Sequence, residues 1–197
     1  MNADRKEILR YLSAGNAPSE ELNAQIDRAI PLAEGAIRPR SVSAVYACEA
    51  TEDGVTVGGV WFAGRSLARN LRPCSRTFLL AVTLGAEADL LLRRESLRGA
   101  SNAAVMQAVL TDCIEQACDR AERELAATLA PGEALCPRFS LGYGDTLLSD
   151  QKSFFALLPV TKRLGVSLSD SFLMTPAKSV TAFVGICGAP PHTLLGE

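Results

Sequence analysis

Histidine is nearly missing from this chain: one residue, His192, in 197. A Ser-His-Asp or Cys-His nucleophilic system would have only that base to draw on. His192 sits in a Gly- and Pro-rich stretch, residues 188–197, expected to be a loose tail, so triad chemistry is not expected. No Gly-x-Gly-x-x-Gly and no Walker-type loop occurs, which removes the two commonest phosphate cradles. Long apolar runs are absent too: none reaches the ~18 residues a membrane helix needs. The polar start, Met1 to Lys6, does not read as a secretory leader, so the expected location is the cytoplasm, with no membrane partner. Basic runs are also lacking. With 20 basic against 22 acidic residues and a net charge of -2, no positive field is available to release counterions from a nucleic acid. The densest basic stretch holds Arg65, Arg69, Arg72 and Arg76. It reads as a helix face, either a solvated edge or one that offers cations to a partner. Aromatics make up 6% with a single Trp, Trp61, so the core must be mostly aliphatic.

Six cysteines are present: Cys48, Cys74, Cys113, Cys118, Cys136 and Cys187. No Cys-x-x-Cys occurs, so their spacing carries no metal signature and no metal is expected. In a reducing compartment disulfides are not expected either, and buried, inert thiols are the default. Cys113 and Cys118 lie five apart on an expected helix and point in different directions.

What is present is an ordinary globular composition, 48% hydrophobic and 21% charged, of a length that suits one well-buried core. The expected organisation is a single domain over 1–197, with a helical lead-in over residues 1–40. Ile8-Leu9 and Tyr11-Leu12 give a first helix its apolar face, stopped by Gly15-Asn16. Ser19 reads as the N-cap of a second, carrying Leu22, Ile26, Ile30 and Leu32. Ser41 to Cys48 alternates as a half-buried strand, Glu52-Asp53-Gly54 signals a turn, and Val55 to Phe62 reads as the strand returning from it. Ser66 to Leu71 is a short helix, Phe78 to Leu84 a nearly continuous apolar strand, and Glu87 to about Leu97 a helix.

The longest helix spans Ala103 to about Leu129. Its apolar stripe is Met106, Leu110, Cys113, Ala117, Ala121 and Leu125. A stripe of Asp112, Glu115, Asp119 and Glu122 lies beside it and is expected to be solvated. Arg138 to Leu141 is extended, Gly142 to Asp145 a tight turn, and Asp150 to Leu164 another helix stopped by Gly165. Val166–Leu168, Phe172–Met174 and Ser179–Cys187 are extended. Hairpins and unordered alternation of helix and strand point to an α+β fold with a mainly antiparallel sheet flanked by helices.

One run carries chemistry: Cys136-Pro137-Arg138-Phe139-Ser140-Leu141-Gly142-Tyr143-Gly144-Asp145. Glycines on both sides of Tyr143 permit unusual backbone dihedrals and close approach to a ligand. Arg138 can turn a planar, permanently charged fork toward a carboxylate. A plain turn, with Tyr143 packed down and Arg138 paired on the surface, fits the same residues.

Four stretches in one order extend this run. Arg138-x-Ser140-x-Gly142-Tyr143-Gly144-Asp145 is followed by Gln151-Lys152-x-x-Phe155-x-Leu157-Leu158 and by Lys162-Arg163-x-Gly165-Val166-x-Leu168. Ser171-Phe172-x-Met174-x-Pro176-x-Lys178-Ser179-Val180 comes last. The succession resembles the activation domain of cobalamin-dependent methionine synthase, and the chain resembles small free-standing versions of that module more than the fused domain. Val82-Thr83-Leu84-Gly85 at a strand end, and a long helix with Glu115 near its middle, add to the likeness. It is weakest over residues 1–40.

The resemblance implies an activation-domain-like fold that binds S-adenosylmethionine. It further implies support for reductive methylation of cob(II)alamin on a partner, a cobalamin-binding methionine synthase or related corrinoid protein, with a flavodoxin- or ferredoxin-type electron donor. In such a reaction cobalamin carries the difficult chemistry and the protein supplies proximity, so no general acid or base is needed. By the same resemblance Arg138 would bind the ligand carboxylate, and Ser140 and Gly142 would line the ligand with their backbone. Tyr143 would pack on the adenosine or border the methyl channel, and Glu115 would face the ammonium or sulfonium charge. Met174 and Pro176 would shape the site; Ser179 and Val180 would belong to a supporting strand. Two departures stand out. In the fused enzyme the glycine-tyrosine turn is followed by proline and cysteine, where Gly144-Asp145-Thr146 stand here, and no Tyr follows Tyr143 to match a late ligand-contacting tyrosine. The other readings are a binding module that senses S-adenosylmethionine or docks on a corrinoid protein without turnover, and a structural subunit that has lost the ligand.

Overall fold

The computed structural model of the chain describes residues 3–15 and 18–188. The expected tail beyond Gly188, with His192, and Asn16 of the expected helix stop lie outside them. Helices α1 (Arg5–Tyr11) and α2 (Glu20–Ala36) come first. Ser19 caps α2 as its position suggests, its hydroxyl accepting from the Leu22 amide at 3.2 Å. Three strands follow, β1 (Arg40–Ala50), β2 (Gly54–Val57) and β3 (Val60–Ala63), then α3 (Arg65–Leu71) and β4 (Cys74–Thr83). Helices α4 (Ala86–Arg98) and α5 (Ala100–Ala126) are separated by Gly99 alone. After the short β5 (Ala134–Leu135) come α6 (Gln151–Leu157), α7 (Val160–Leu164), the small pair β6 (Ser167–Leu168) and β7 (Met174–Thr175), and β8 (Ser179–Cys187).

The main sheet is antiparallel throughout, ordered β3-β2-β1-β4-β8-β5. Both of its faces are covered. On one, α1, α2, α4 and α5 pack through Ile8, Ile26, Met106, Val109 and Leu110 against Phe78, Leu80, Val82 and Val184. On the other, α3, α6 and α7 bring Leu67, Leu71, Phe154 and Leu164 onto Leu79, Ala81 and Phe183. Being covered twice explains why β4 is buried at every position from Thr77 to Thr83, and apolar without alternation from Phe78 to Val82. The ring of Phe183 is edge-on to both Phe62 (5.0 Å) and Phe154 (5.4 Å), which pins the second layer to the sheet.

Several details differ from the sequence expectations, each for a local reason. Val55 to Phe62 is two strands. Gly58 and Gly59 adopt φ of +55° and +82°, the two consecutive positive values a tight hairpin requires. Asp150 to Leu164 is two helices, because Pro159 forces Leu158 into an extended conformation (φ -108°, ψ 120°). The Leu157 carbonyl freed there accepts from the Tyr46 hydroxyl at 2.6 Å. Phe172 takes a positive φ of 62°, so the last short strand is Met174–Thr175. Asp112 is not in the solvated stripe. It is buried and accepts from the Asp4 amide (2.9 Å) and Gln116 (2.8 Å), tying α1 to α5, and burial raises its pKa.

The four arginines from 65 to 76 do not share a helix face, since Arg76 is on β4. Arg65 pairs with Asp53 and Arg76 with Glu133. Cysteine is the last correction. Cys48, Cys113 and Cys118 are buried thiols, pushed up by burial to about 11, 12 and 12. Cys136 and Cys187, however, are joined. Spacing along the chain does not show this pair, because β8 creates it by returning beside the segment after β5.

Candidate functional site

The residues after β5 form an arm laid along the end of β8. The Cys136 amide donates to the Gly185 carbonyl at 2.8 Å, and Phe139 exchanges backbone hydrogen bonds with Phe183 at 2.9 and 2.8 Å. Phe139 packs against the core of the second layer. Arg138 reaches the flank of α5, where Glu115, Asp119 and Glu122 stand at i, i+4 and i+7 on one helix face. Its Nη2 donates to Glu115 at 2.5 Å, and its Nη1 to Asp119 at 2.8 Å and Glu122 at 2.6 Å. The Arg138 side chain is 25% exposed. Its burial alone would lower the guanidinium pKa, but the hydrogen bonds to Glu122 and Asp119 and the charge of Glu122 override it and raise the value. Three carboxylates and one guanidinium leave the patch at a formal -2.

Beside this patch is a cavity of about 530 Å³, within the range of roughly 300–1,000 Å³ typical of small-molecule sites. Arg138 and Glu115 supply its charged wall, and Ser140 and the Gln151–Thr181 pair its neutral polar wall. Leu141, Leu148, Met174 and Val180 supply its apolar wall, with Tyr143 at the mouth. Tyr143 is 71% exposed. A hollow of about 620 Å³ between α4 and α5 is mostly apolar, and its carboxylate, Asp89, already accepts from the Ala177 amide at 2.9 Å.

Four of the five expected site residues, Glu115, Arg138, Ser140 and Tyr143, thus surround one cavity. Gly142 does not stand in its wall. At φ +90° it turns the chain, and its amide donates to the Thr146 hydroxyl at 3.1 Å. Asp145 fastens the far end of the turn, accepting from the Arg65 and Ser66 amides at 2.7 and 2.9 Å. It thereby supplies the cap that Gly64, with no side chain, does not supply to α3. Those amide hydrogen bonds lower the Asp145 pKa to about 2. Gly144 adopts φ +60°, and a Cβ there would meet the Ser66 hydroxyl at 2.6 Å, so the second glycine lets the turn sit on α3.

Gln151 and Thr181 are the polar wall residues with no expected role. They hydrogen-bond to each other at 2.8 and 3.0 Å. The signal for Thr181 is the period of two along β8, which puts it on the same face as Ser179 and Phe183. Ser179 lines the cavity while donating to the Pro176 carbonyl at 2.8 Å. Lys178, just before β8, reaches Thr111 on α5 at 2.7 Å, one turn from Glu115, and burial lowers its pKa.

No family model and no curated protein matches the sequence. Comparison with solved structures matches the crystal structure of the MetH reactivation domain bound to AdoHcy, with a TM-score of 0.65. The match covers 94% of this chain and 70% of that one, at 16% sequence identity. The chain has the fold of that reactivation domain, an antiparallel sheet flanked by helices.

Proposed function

We propose that the chain binds S-adenosylmethionine in the cavity between the Arg138–Tyr143 arm and α5. It would present the methyl group to a cobalamin carried by a partner methionine synthase or related corrinoid protein, reactivating that partner in trans. A flavodoxin- or ferredoxin-type protein would supply the electron. The observation that carries this reading is the guanidinium fork set among three carboxylates on the wall of a ligand-sized cavity.

The lining suits the ligand. Among the described residues, acceptors meet three of the five guanidinium N–H donors, leaving Nε–H and one Nη2–H as a fork for the methionine carboxylate. The net negative patch favours the ammonium and sulfonium charges. The apolar wall of Leu141, Leu148, Met174 and Val180, with Tyr143 beyond it, accepts the adenosine. A sulfonium methyl is already activated, so the residues here need only bind, orient and exclude water.

Calorimetry with S-adenosylmethionine tests the binding, and spectroscopy of a cob(II)alamin-loaded partner under a reductant tests the reaction. Saturable heat and the appearance of methylcobalamin absorbance are expected. Heat without methylcobalamin would leave a non-catalytic binding module. No heat, with or without the partner, would leave the fold without its ligand.

A further inference from the structure

At the other end of the arm three sulfurs converge that the S-adenosylmethionine site does not use. The Sγ atoms of Cys74, Cys136 and Cys187 all lie within 4.8 Å of one another. They come from three separate segments. Cys74 and Cys187 are directly opposed across the β4–β8 ladder, and Cys136 is set beside them by the hydrogen bond its amide donates to the Gly185 carbonyl. Cys74 Sγ stands 3.3 Å from Cys136 Sγ and 3.2 Å from Cys187 Sγ.

The backbone makes room for this cluster. Gly185 lies in the interior of β8, where glycine weakens a strand. A Cβ there would fall 2.5 Å from Cys74 Sγ and 2.8 Å from Leu71 Cδ2. The missing side chain is the space the Cys74 sulfur occupies.

A triangle of sulfurs suggests two chemistries. One is exchange, in which a Cys74 thiolate attacks the Cys136–Cys187 bond. Displacement at sulfur proceeds along the S–S axis, and a sulfur nearly equidistant from both partners is beside that axis. The other is shared coordination, for which equidistance is the required arrangement. Two thiolates on one Zn²⁺, at about 2.3 Å each, stand roughly 3.8 Å apart. The Cα atoms of Cys136 and Cys187, 6.4 Å apart, accommodate that separation by side-chain rotation.

We propose that Cys74, Cys136 and Cys187, when all three are thiols, form a site for a thiophilic d10 cation, Zn²⁺ in the first instance. A dithiol reductant converts the Cys136–Cys187 bond into two thiols, supplying two electrons and two protons and becoming a disulfide itself. Binding of Zn²⁺ by the three thiols then releases three protons. A water completes the tetrahedron. The ion cross-links β4, β8 and the arm two residues before Arg138, so the same sulfurs hold the arm by a covalent bond when oxidised and by a metal when reduced.

The test uses the full chain, reduced with a phosphine, freed of metal and titrated with Co²⁺ as an optical probe and then with Zn²⁺. One Co²⁺ per chain is expected, with a thiolate-to-metal charge-transfer band that Zn²⁺ abolishes. Cys74→Ser and Cys136→Ser should each lose the band, while Cys113→Ser, in the other core, should keep it. Gly185→Ala should weaken the ion at least tenfold. The proposal is overturned if the reduced wild-type chain gives no such band, a result independent of whether any variant folds. It is equally overturned if the band survives Cys74→Ser. Neither readout involves S-adenosylmethionine, so failure here and failure of the proposed function are separate events.

Discussion

Replacing Arg138 with alanine probes the candidate site at its most informative atom group, and the structure fixes what should change. In the free protein the guanidinium holds Glu115, Asp119 and Glu122 at 2.5 to 2.8 Å. Removing it takes the patch from a formal -2 to -3 and leaves like charges at i,i+3 and i,i+4 spacings, each worth about 0.2–0.5 kcal/mol of repulsion. That is a small stability change, so Arg138→Ala should still fold. Binding should change more. A hydrogen bond between the fork and the ligand carboxylate is worth about 1.5–3 kcal/mol, which is roughly a 10- to 150-fold loss of affinity.

The charge change acts in the opposite sense on the sulfonium, which the more negative patch attracts more strongly. S-adenosylhomocysteine, lacking that positive charge, should therefore lose more affinity than S-adenosylmethionine, and the ratio between them should widen. Arg138→Lys, which keeps the charge but not the planar fork, should fall between wild type and alanine. Titration calorimetry with both ligands, alongside a urea melt to show that the variant is folded, measures all of this. Unchanged affinity in a folded Arg138→Ala would remove this residue from the site and with it the basis of the proposed function.

Phe183→Ala removes a fully buried ring that touches Phe62 and Phe154. It should cost about 3–5 kcal/mol in urea unfolding, and a loss under ~1 kcal/mol would mean the two ring contacts do not hold the second layer. Asp145 has a folded pKa lowered to about 2 from 3.8, so the stability it contributes is complete above pH ~4 and is lost as pH falls toward ~2. Asp145→Asn should lose less stability than wild type across that window, and parallel pH profiles would refute its capping of α3. Gly144→Ala places a Cβ 2.6 Å from the Ser66 hydroxyl at φ +60°. It should destabilise by about 1 kcal/mol or more and weaken ligand binding by displacing Tyr143; a neutral effect on both would show that the turn does not need to rest on α3.

What could be read from the chain follows the range of the forces involved. Ser19 as a cap, the apolar stripe from Met106 to Leu125 and the strand from Ser179 to Cys187 are encoded by neighbours a few residues apart, and the structure has them where the pattern puts them. The break at Pro159 and the turn at Gly58-Gly59 were also local signals, overridden by the apolar continuity around them. Glu115 and Arg138 were individually conspicuous. That Asp119 and Glu122 would join them was not, because a helix face and an arm 16 to 23 positions away meet only once β5 and β8 have paired. The burial of Asp112 has the same origin, since the Asp4 amide that it accepts from is 108 positions distant. The sulfur triangle is the extreme case, assembled across separations of 62 and 113 positions.

The arm that carries Arg138 is held along its whole length by contacts of different kinds. Upstream, the Cys136 amide and the sulfur cluster tie it to β8. In the middle, Phe139 is bonded both ways to Phe183, the residue on which two layers converge. Downstream, Asp145 fixes the turn to the first amides of α3. A recognition residue set between such anchors loses little freedom on binding, so the guanidinium fork is presented already oriented. The freedom in the site lies in Tyr143, exposed between two glycines. Under the proposed function Arg138 would hold one end of the ligand from a fixed position, while the exposed Tyr143 ring would meet the ligand, or a partner bearing the methyl acceptor, from the solvent side.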